Sequence, residues 1–484
     1  MQGRRIYYSH VDGDGWHNAS EFPGYANRRG GATAALLGEI FERYPDLPVT
    51  VAPIGADLDP AMAGSPEAVE LARRVFALRH VEAGTHTYTH PFRWDFFARY
   101  DPARERAWLA RKDNGAKASH RHGRQHPQDD HADDPPRAHF HVPFDVEREI
   151  GGSTGLIQAV AGKPVRLVQW SGDARPFAQA LAAAAARGLG SINGGDSRFD
   201  PEFPSLLYVA PHADTTTGIV QPFASNSNEN TYTGLWGRRF FGQRYLKATL
   251  ANTEAPVRLK PFNLYYHNYS GERVASIAAL RELLDHARSQ EIAPVTASHY
   301  AAIVQGFHTT RLIAVGENAW RIEDRGSLDT IRFDHATFLA IDFDRSRGVI
   351  GQRHHQGSLY VALDPAEKTA LVALAPADHA DLLVQAARPY IVSGRWLASE
   401  VAATSGSARY RARGFGKGEF TWWHPDASAA AITVTDEAGT VLWSGDAHRD
   451  VTGCLSFSAD ADAIDGVVIT IQFQPGGRCA STSC

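Results

Sequence analysis

Apolar residues keep two different rhythms along this 484-residue chain, and the change between them falls near Gly306. Before it, short apolar runs alternate with stretches that carry apolar residues at helical spacing. Residues 6–12 read as a buried strand, 34–44 as a helix stopped by Pro45, and 49–54 as a second strand. Residues 68–78 read as a helix with Val69, Leu71, Val75 and Leu78 on one side. The alternation continues with strand 165–170, helix 177–189, strands 191–194 and 263–267, and a helix striped by Val274, Ile277, Leu280, Leu283 and Leu284. Repeated strand–helix units imply a parallel sheet, and a domain spanning 1–305 suits a distorted (β/α) barrel, closed or nearly so.

Beyond Gly306 the helical spacing stops. Short strands are expected at 330–333, 338–343, 358–363, 371–374, 408–413, 431–434 and 467–473. Gly348, Gly357, Asp364-Pro365, Gly414, Gly416 and Gly439 separate them, and 376–386 is the one helix candidate. Residues 306–484 therefore read as a second domain, an antiparallel sandwich or jelly roll. A third character belongs to 112–141, which is rich in His, Asp, Arg and Pro. It holds His120, His122, His126, His131, His139 and His141 and too little apolar surface to offset ordering, so it is expected to be a mobile insertion in the barrel.

Composition excludes several classes. With 43% hydrophobic and 21% charged residues the chain is globular, and a formal charge of −5 offers no basic field for nucleic acid. No apolar run approaches the ~20 residues of a membrane span. No leader-like segment separates Met1 from the first strand, as in a cytosolic protein or a piece of a longer or processed one. The three cysteines, Cys454, Cys479 and Cys484, fit no zinc spacing; at most one pair can bridge, and their position argues against a thiol active site.

In parallel barrels, chemistry gathers where strands end and loops begin. Two strand exits carry unusual side chains: His10-Val11-Asp12-Gly13-Asp14-Gly15, and Thr85-His86-Thr87-Tyr88-Thr89-His90-Pro91. Histidine pairs at this spacing arise by chance among 22 histidines, as His122 and His126 illustrate; strand-exit position and the nearby carboxylates set His86 and His90 apart. Pro91 disfavours a helical His90, so the two imidazoles converge across a tight loop. Two imidazoles and one carboxylate around a divalent ion leave room for water and substrate, as in catalytic zinc sites. Such an ion polarises a carbonyl and lowers the pKa of water from 15.7 to about 7. Position 87 is Thr, where a zincin would carry Glu, so the base must come from elsewhere, and whichever aspartate of the Asp-Gly-Asp turn does not bind the ion can supply it. The bland alternative is a carboxylate pair satisfied by backbone N–H groups beside core histidines.

Together these residues resemble the metal-dependent polysaccharide deacetylases, the NodB-homology carbohydrate esterases. Their fuller context is Tyr8 to Gly15, Phe92-Arg93-Trp94 after the His-Pro pair, and Tyr265-Tyr266-His267-Asn268-Tyr269-Ser270-Gly271. With the β-rich C-terminal part, this context is similar to the deacetylase regions of bacterial Pel exopolysaccharide modification proteins. The resemblance implies a distorted (β/α) barrel that removes N-acetyl groups from an N-acetylhexosamine polymer, Pel-like and containing N-acetylgalactosamine, in biofilm matrix production. It implies one divalent metal ion, zinc, held by Asp14, His86 and His90. Asp12 would be the general base, and His267 the acid that protonates the leaving amine. The family has adjacent aspartates where Gly13 intervenes here, so which carboxylate does which job stays open. The family's arginine that orients the base finds its match in Arg175 of Asp173-Ala174-Arg175-Pro176-Phe177, displaced by one position. A periplasmic or secreted location and an exopolysaccharide-export partner protein are implied as well.

Trp16, Trp94, Trp170, Trp236, Tyr265 and Tyr269 are candidate platforms for sugar rings, with Asp173 and Asp196 as polar contacts; large aromatics also serve cores. Trp422-Trp423 and His354-His355 in the second domain are read as core in preference to a sugar surface. Three rivals stand. A glycoside hydrolase would need carboxylates on opposite sides of the bond, whereas Asp12 and Asp14 share one turn. A non-haem iron oxygenase uses the same ligand types. A non-catalytic carbohydrate-binding protein would have no use for the five side chains together.

Overall fold

The computed structural model describes residues 3–113, 135–377 and 388–475. Seven strands form one all-parallel sheet. The first five are β1 (Arg5–Asp12), β2 (Val49–Ala52), β3 (Val81–Thr85), β4 (Val165–Gln169) and β5 (Gly190–Ile192). Past a small antiparallel ribbon of β6 (Ala213–Asp214) and β7 (Gln221–Pro222) come β8 (Phe262–His267) and β9 (Ile292–Pro294). Strand order is β5-β4-β3-β2-β1-β8, with β9 also on β1. The central strand forks: Arg5 to Tyr7 pair with β9, and Tyr7 to Asp12 pair with β8. The path ends at β5 and β8, so the sheet is a half-barrel open on that side. Between those edges the chain returns through the ribbon and short helices, with no long strand to close it.

Helices cover the sheet for local reasons. In Pro66–Ala77, Ser65 caps the first turn by accepting from the Ala68 N–H (3.2 Å), and proline occupies the first position, where its missing donor costs nothing. Leu71, Ala72, Val75 and Phe76 face inward at helical spacing. Val274–Arg288 buries Ile277, Leu280, Leu283 and Leu284 of the stripe read from the sequence, while Val274, at the first position, is exposed. The last helix, Ala297–Thr309, runs a few residues past the expected change at Gly306, and the next strand begins at Arg311. Because the sheet is parallel, the ends of β1, β2, β3, β4 and β8 share one edge. Register sets Asp12 level with Ala52 on one side and His267 on the other.

The remaining strands build three sheets of four, six and five strands. That is one sheet more than the single two-sheet sandwich expected from the sequence. In the six-stranded sheet, consecutive residues are apolar and face opposite ways. Trp423, Tyr390 and Val361 join the four-stranded sheet's Val372 and Leu374 in one core; Trp422, Ile391 and Ala362 join the five-stranded sheet's Tyr410 and Ile471 in another. The middle sheet is thus covered on both faces, and Trp422 and Trp423 are core residues at 1% and 2% exposure. His354 and His355 spend their rings on Leu339 O and Glu254. The helix expected at 376–386 lies outside the described residues apart from Pro376, which ends a strand, and Ala377. Of the expected insertion, 114–134 lies outside them too. Its return, from Pro135 onward, lies on the His86–His90 loop: Phe92 donates to Pro136 O (2.9 Å), and Ala138 and His139 donate to His90 O and Thr89 O (both 3.1 Å).

Candidate metal centre

Asp14, His86 and His90 meet beyond the ends of β1 and β3. Nε2 of His86 lies 3.1 Å from Asp14 Oδ2, Nε2 of His90 lies 3.1 Å from Asp14 Oδ1, and the two nitrogens are 3.2 Å apart. These contacts use both Asp14 oxygens; one donor atom from each of the three residues lies within 4.8 Å of the others, close enough for all three to share one ion. The donor set fits as well. His86 Nδ1 contacts the Gln169 carbonyl (2.7 Å), an acceptor only, so Nδ1 carries the proton and Nε2 presents its lone pair. Burial alone would raise the Asp14 carboxyl, but His90 and His86 hold it well below its ordinary value, in the ionised form a metal requires. Asp14 Oδ2 is buried without a hydrogen-bond donor. Asp14, His86 and His90 are the one such group among the described residues.

Gly13 explains the spacing of the aspartates. A Cβ there would stand 2.6 Å from Ile54 N and 2.8 Å from Ala52 O, so only glycine lets the β1 exit pass so close to the β2 exit. On the other side, the turn that carries both histidines is strained: Thr87 and His90 have φ of +64° and +56°. Glu149, which the sequence reading missed, holds this turn. Fully buried, it accepts from the N–H groups of Tyr88 (3.0 Å) and Thr89 (2.8 Å) and from the Thr89 hydroxyl. Gly55 N–H and Ser153 Oγ both donate to Thr87 O.

Asp12 and His267 flank the triangle. Asp12 is 1% exposed and accepts from Tyr265 OH (2.7 Å) and from Asn193 Nδ2 (3.0 and 3.2 Å). Gln169, its amide nitrogen turned toward them, donates to Asp12 Oδ1 (2.6 Å) and Val11 O (3.0 Å). Burial and the Asp12 charge keep the Tyr265 phenol well above its ordinary pKa, protonated and able to donate. Nε2 of His267 lies 3.8 Å from Asp12 Oδ2, and its Nδ1 meets Glu229 Oε1 at 3.0 Å. Burial would lower His267; the Glu229 charge and hydrogen bond outweigh it and lift the imidazole to about 9. Tyr269 stacks on that ring at 4.6 Å. Glu229 opens a five-residue helix, and nothing in the local sequence marks it.

The other expected site residues do not all join this centre. Arg175 is exposed and donates its backbone N–H to Asp173, while Asp12 is held by a phenol and two amides. Trp16, Trp94 and Trp170 are 1%, 0% and 1% exposed, so none offers a face to a sugar. Their large apolar rings fill the spaces behind the strand exits, Trp94 edge-on to Trp170 at 5.1 Å with its N–H on Ser171 O. Trp94→Ala should cost about 3–5 kcal/mol of stability, read by denaturant unfolding. Asp173 caps the Trp94 and Arg175 N–H groups, and Asp196 is exposed. Tyr265 and Tyr269 are at the centre, and Trp236 packs on Tyr269 at 4.9 Å.

No protein-family model matches the chain, and no curated protein does. Among solved structures it is similar to a CE4-family pseudoenzyme from Bacillus anthracis at 10% identity and a TM-score of 0.32, over 62% of this chain and 66% of that one. It is similar to a family 4 carbohydrate esterase from Streptomyces lividans in complex with acetate at 12% identity and 0.29, over 60% and 91%. A polysaccharide deacetylase from Bacillus cereus gives 14% and 0.30, over 60% and 90%.

Proposed function

We propose that the protein is a metal-dependent polysaccharide N-deacetylase, with Asp14, His86 and His90 as ligands, Asp12 as general base and His267 as general acid. The observation that carries this is the convergence of Asp14, His86 and His90, with donor atoms within 4.8 Å of one another, and a buried carboxylate and a raised imidazole beside them. A divalent ion held there, zinc if the resemblance is followed, would supply Lewis acidity toward an amide carbonyl and make water a stronger nucleophile. Asp12, held by Tyr265, Asn193 and Gln169, takes the proton of the attacking water. His267 hands its Nε2 proton to the departing nitrogen, and Glu229 stabilises the imidazolium until then. Acetate and a free amine result.

The motif resemblance takes the proposal further, to an N-acetylhexosamine exopolysaccharide of the Pel type and to action in the periplasm on biofilm matrix. The deciding experiment combines elemental analysis of purified protein with acetate release from N-acetylgalactosamine and N-acetylglucosamine polymers. Metal-loaded protein that releases acetate from neither would refute the reading; reducing ends in place of acetate would make it a glycosidase.

Charge at Glu229 has a pH signature. His267 must be protonated to act, and Glu229 keeps it so up to about 9. In Glu229→Gln, burial acts with less opposition and the imidazole falls. The alkaline limb of kcat/KM should therefore move to lower pH; an unmoved limb would separate His267 from the acid role.

A further inference from the structure

We infer that Asn193, His10 and Asn263 form a neutral hydrogen-bond relay that orients the general base, taking the place of a cation. The inference rests on the proposed role of Asp12. All three side chains are fully buried. Asn263 Nδ2 meets His10 Nδ1 at 3.2 Å, His10 Nε2 meets Asn193 Oδ1 at 3.1 Å, and Asn193 Nδ2 meets both oxygens of Asp12.

Polarity of the relay is set by backbone groups at its ends. The Asn226 N–H donates to Asn263 Oδ1 (3.2 Å), so that amide must turn its nitrogen to His10. His10 Nδ1 then accepts, and the ring proton sits on Nε2, from which it is donated to Asn193. At the far end, the Trp170 carbonyl accepts from Asn193 Nδ2 (2.9 Å), which keeps the other proton of that amide on Asp12. Burial pulls His10 down to about 4, in keeping with a neutral ring, and Tyr265 stacks on it at 4.2 Å. Asn193 can reach across because it sits at φ +102°, ahead of two glycines also at positive φ. An amide in that place steers the carboxylate without the charge that an arginine would put beside a proton acceptor.

Two readouts test the relay. In protein 15N-labelled in its histidine rings, long-range 15N–1H spectra should show His10, assigned by its loss in His10→Gln, as a neutral Nε2–H tautomer. It should not titrate between about pH 5.5 and 8. A protonated ring or an Nδ1–H tautomer would overturn the inference, whatever the activity. In turnover, His10→Gln keeps a donor where Nε2 was and should hold kcat within about threefold of the parent. His10→Leu and Asn193→Ala should each lower kcat by about 10²-fold, with KM and metal content unchanged. The double variant should be no slower than Asn193→Ala alone, since both changes break one unit. Equal kcat in His10→Gln and His10→Leu, or multiplying effects, would make the side chains packing only. If His10→Leu fails to fold, the tautomer decides; if the parent releases no acetate, the deacetylase reading falls while the tautomer still tests the relay.

Discussion

Replacing Asp14 with alanine is expected to remove bound metal and acetate release together. The two imidazoles that face its carboxylate would then be a bidentate pair without the anion that balances a dication, and a structural triangle would become an edge. The lost Lewis acid is worth several kcal/mol of transition-state stabilisation, so the rate should fall by about 10³-fold or more. His86→Ala should do the same, because its Nδ1–H bond to Gln169 O fixes which nitrogen faces the ion. Elemental analysis and an acetate assay on one preparation read both effects. Stoichiometric metal in Asp14→Ala would mean that the ligands lie elsewhere.

What the sequence could reveal of this site followed from regularity. β1 and β8 are short apolar runs ending in His or Asp, and strand-exit position was enough to bring Asp12, Asp14, His86, His90 and His267 to one edge. Their partners were invisible because partnership here is a matter of register and return loops. Glu229 lies 38 positions from His267 in a five-residue helix, and Glu149 lies 60 from Thr89. Asn193 follows a short strand with nothing in its neighbours to mark it as a partner of Asp12, and the structure turns it onto that carboxylate. Tryptophans misled in the opposite direction. Trp16 and Trp94 flank the motifs in sequence, but a strand exit needs bulk behind it as well as chemistry in front, and their rings went behind. In the β-rich part, runs such as Trp422-Trp423 broke the alternation expected of a two-sheet sandwich; that break is what a middle sheet, buried on both faces, requires.

The Asp-Gly-Asp turn left open which carboxylate binds and which accepts a proton, and Asp12→Asn separates the roles. Asparagine keeps the shape and can still accept from Tyr265 or Asn193, but it is no base at neutral pH. Metal content should stay at the parent level, because Asp12 reaches His86 only on its Nδ1 side, at 3.5 Å, away from the triangle. KM should change little, and kcat should fall by about 10²- to 10⁴-fold, the range that general-base catalysis contributes. The contrast with Asp14→Ala is the decisive quantity. One variant holds its ion and loses turnover; the other loses both. Were Asp12→Asn to lose the ion and an Asp14 variant to retain it, the two roles would be exchanged. The triangle would then have to re-form around Asp12, which needs the His86 ring to turn and give up its bond to Gln169 O.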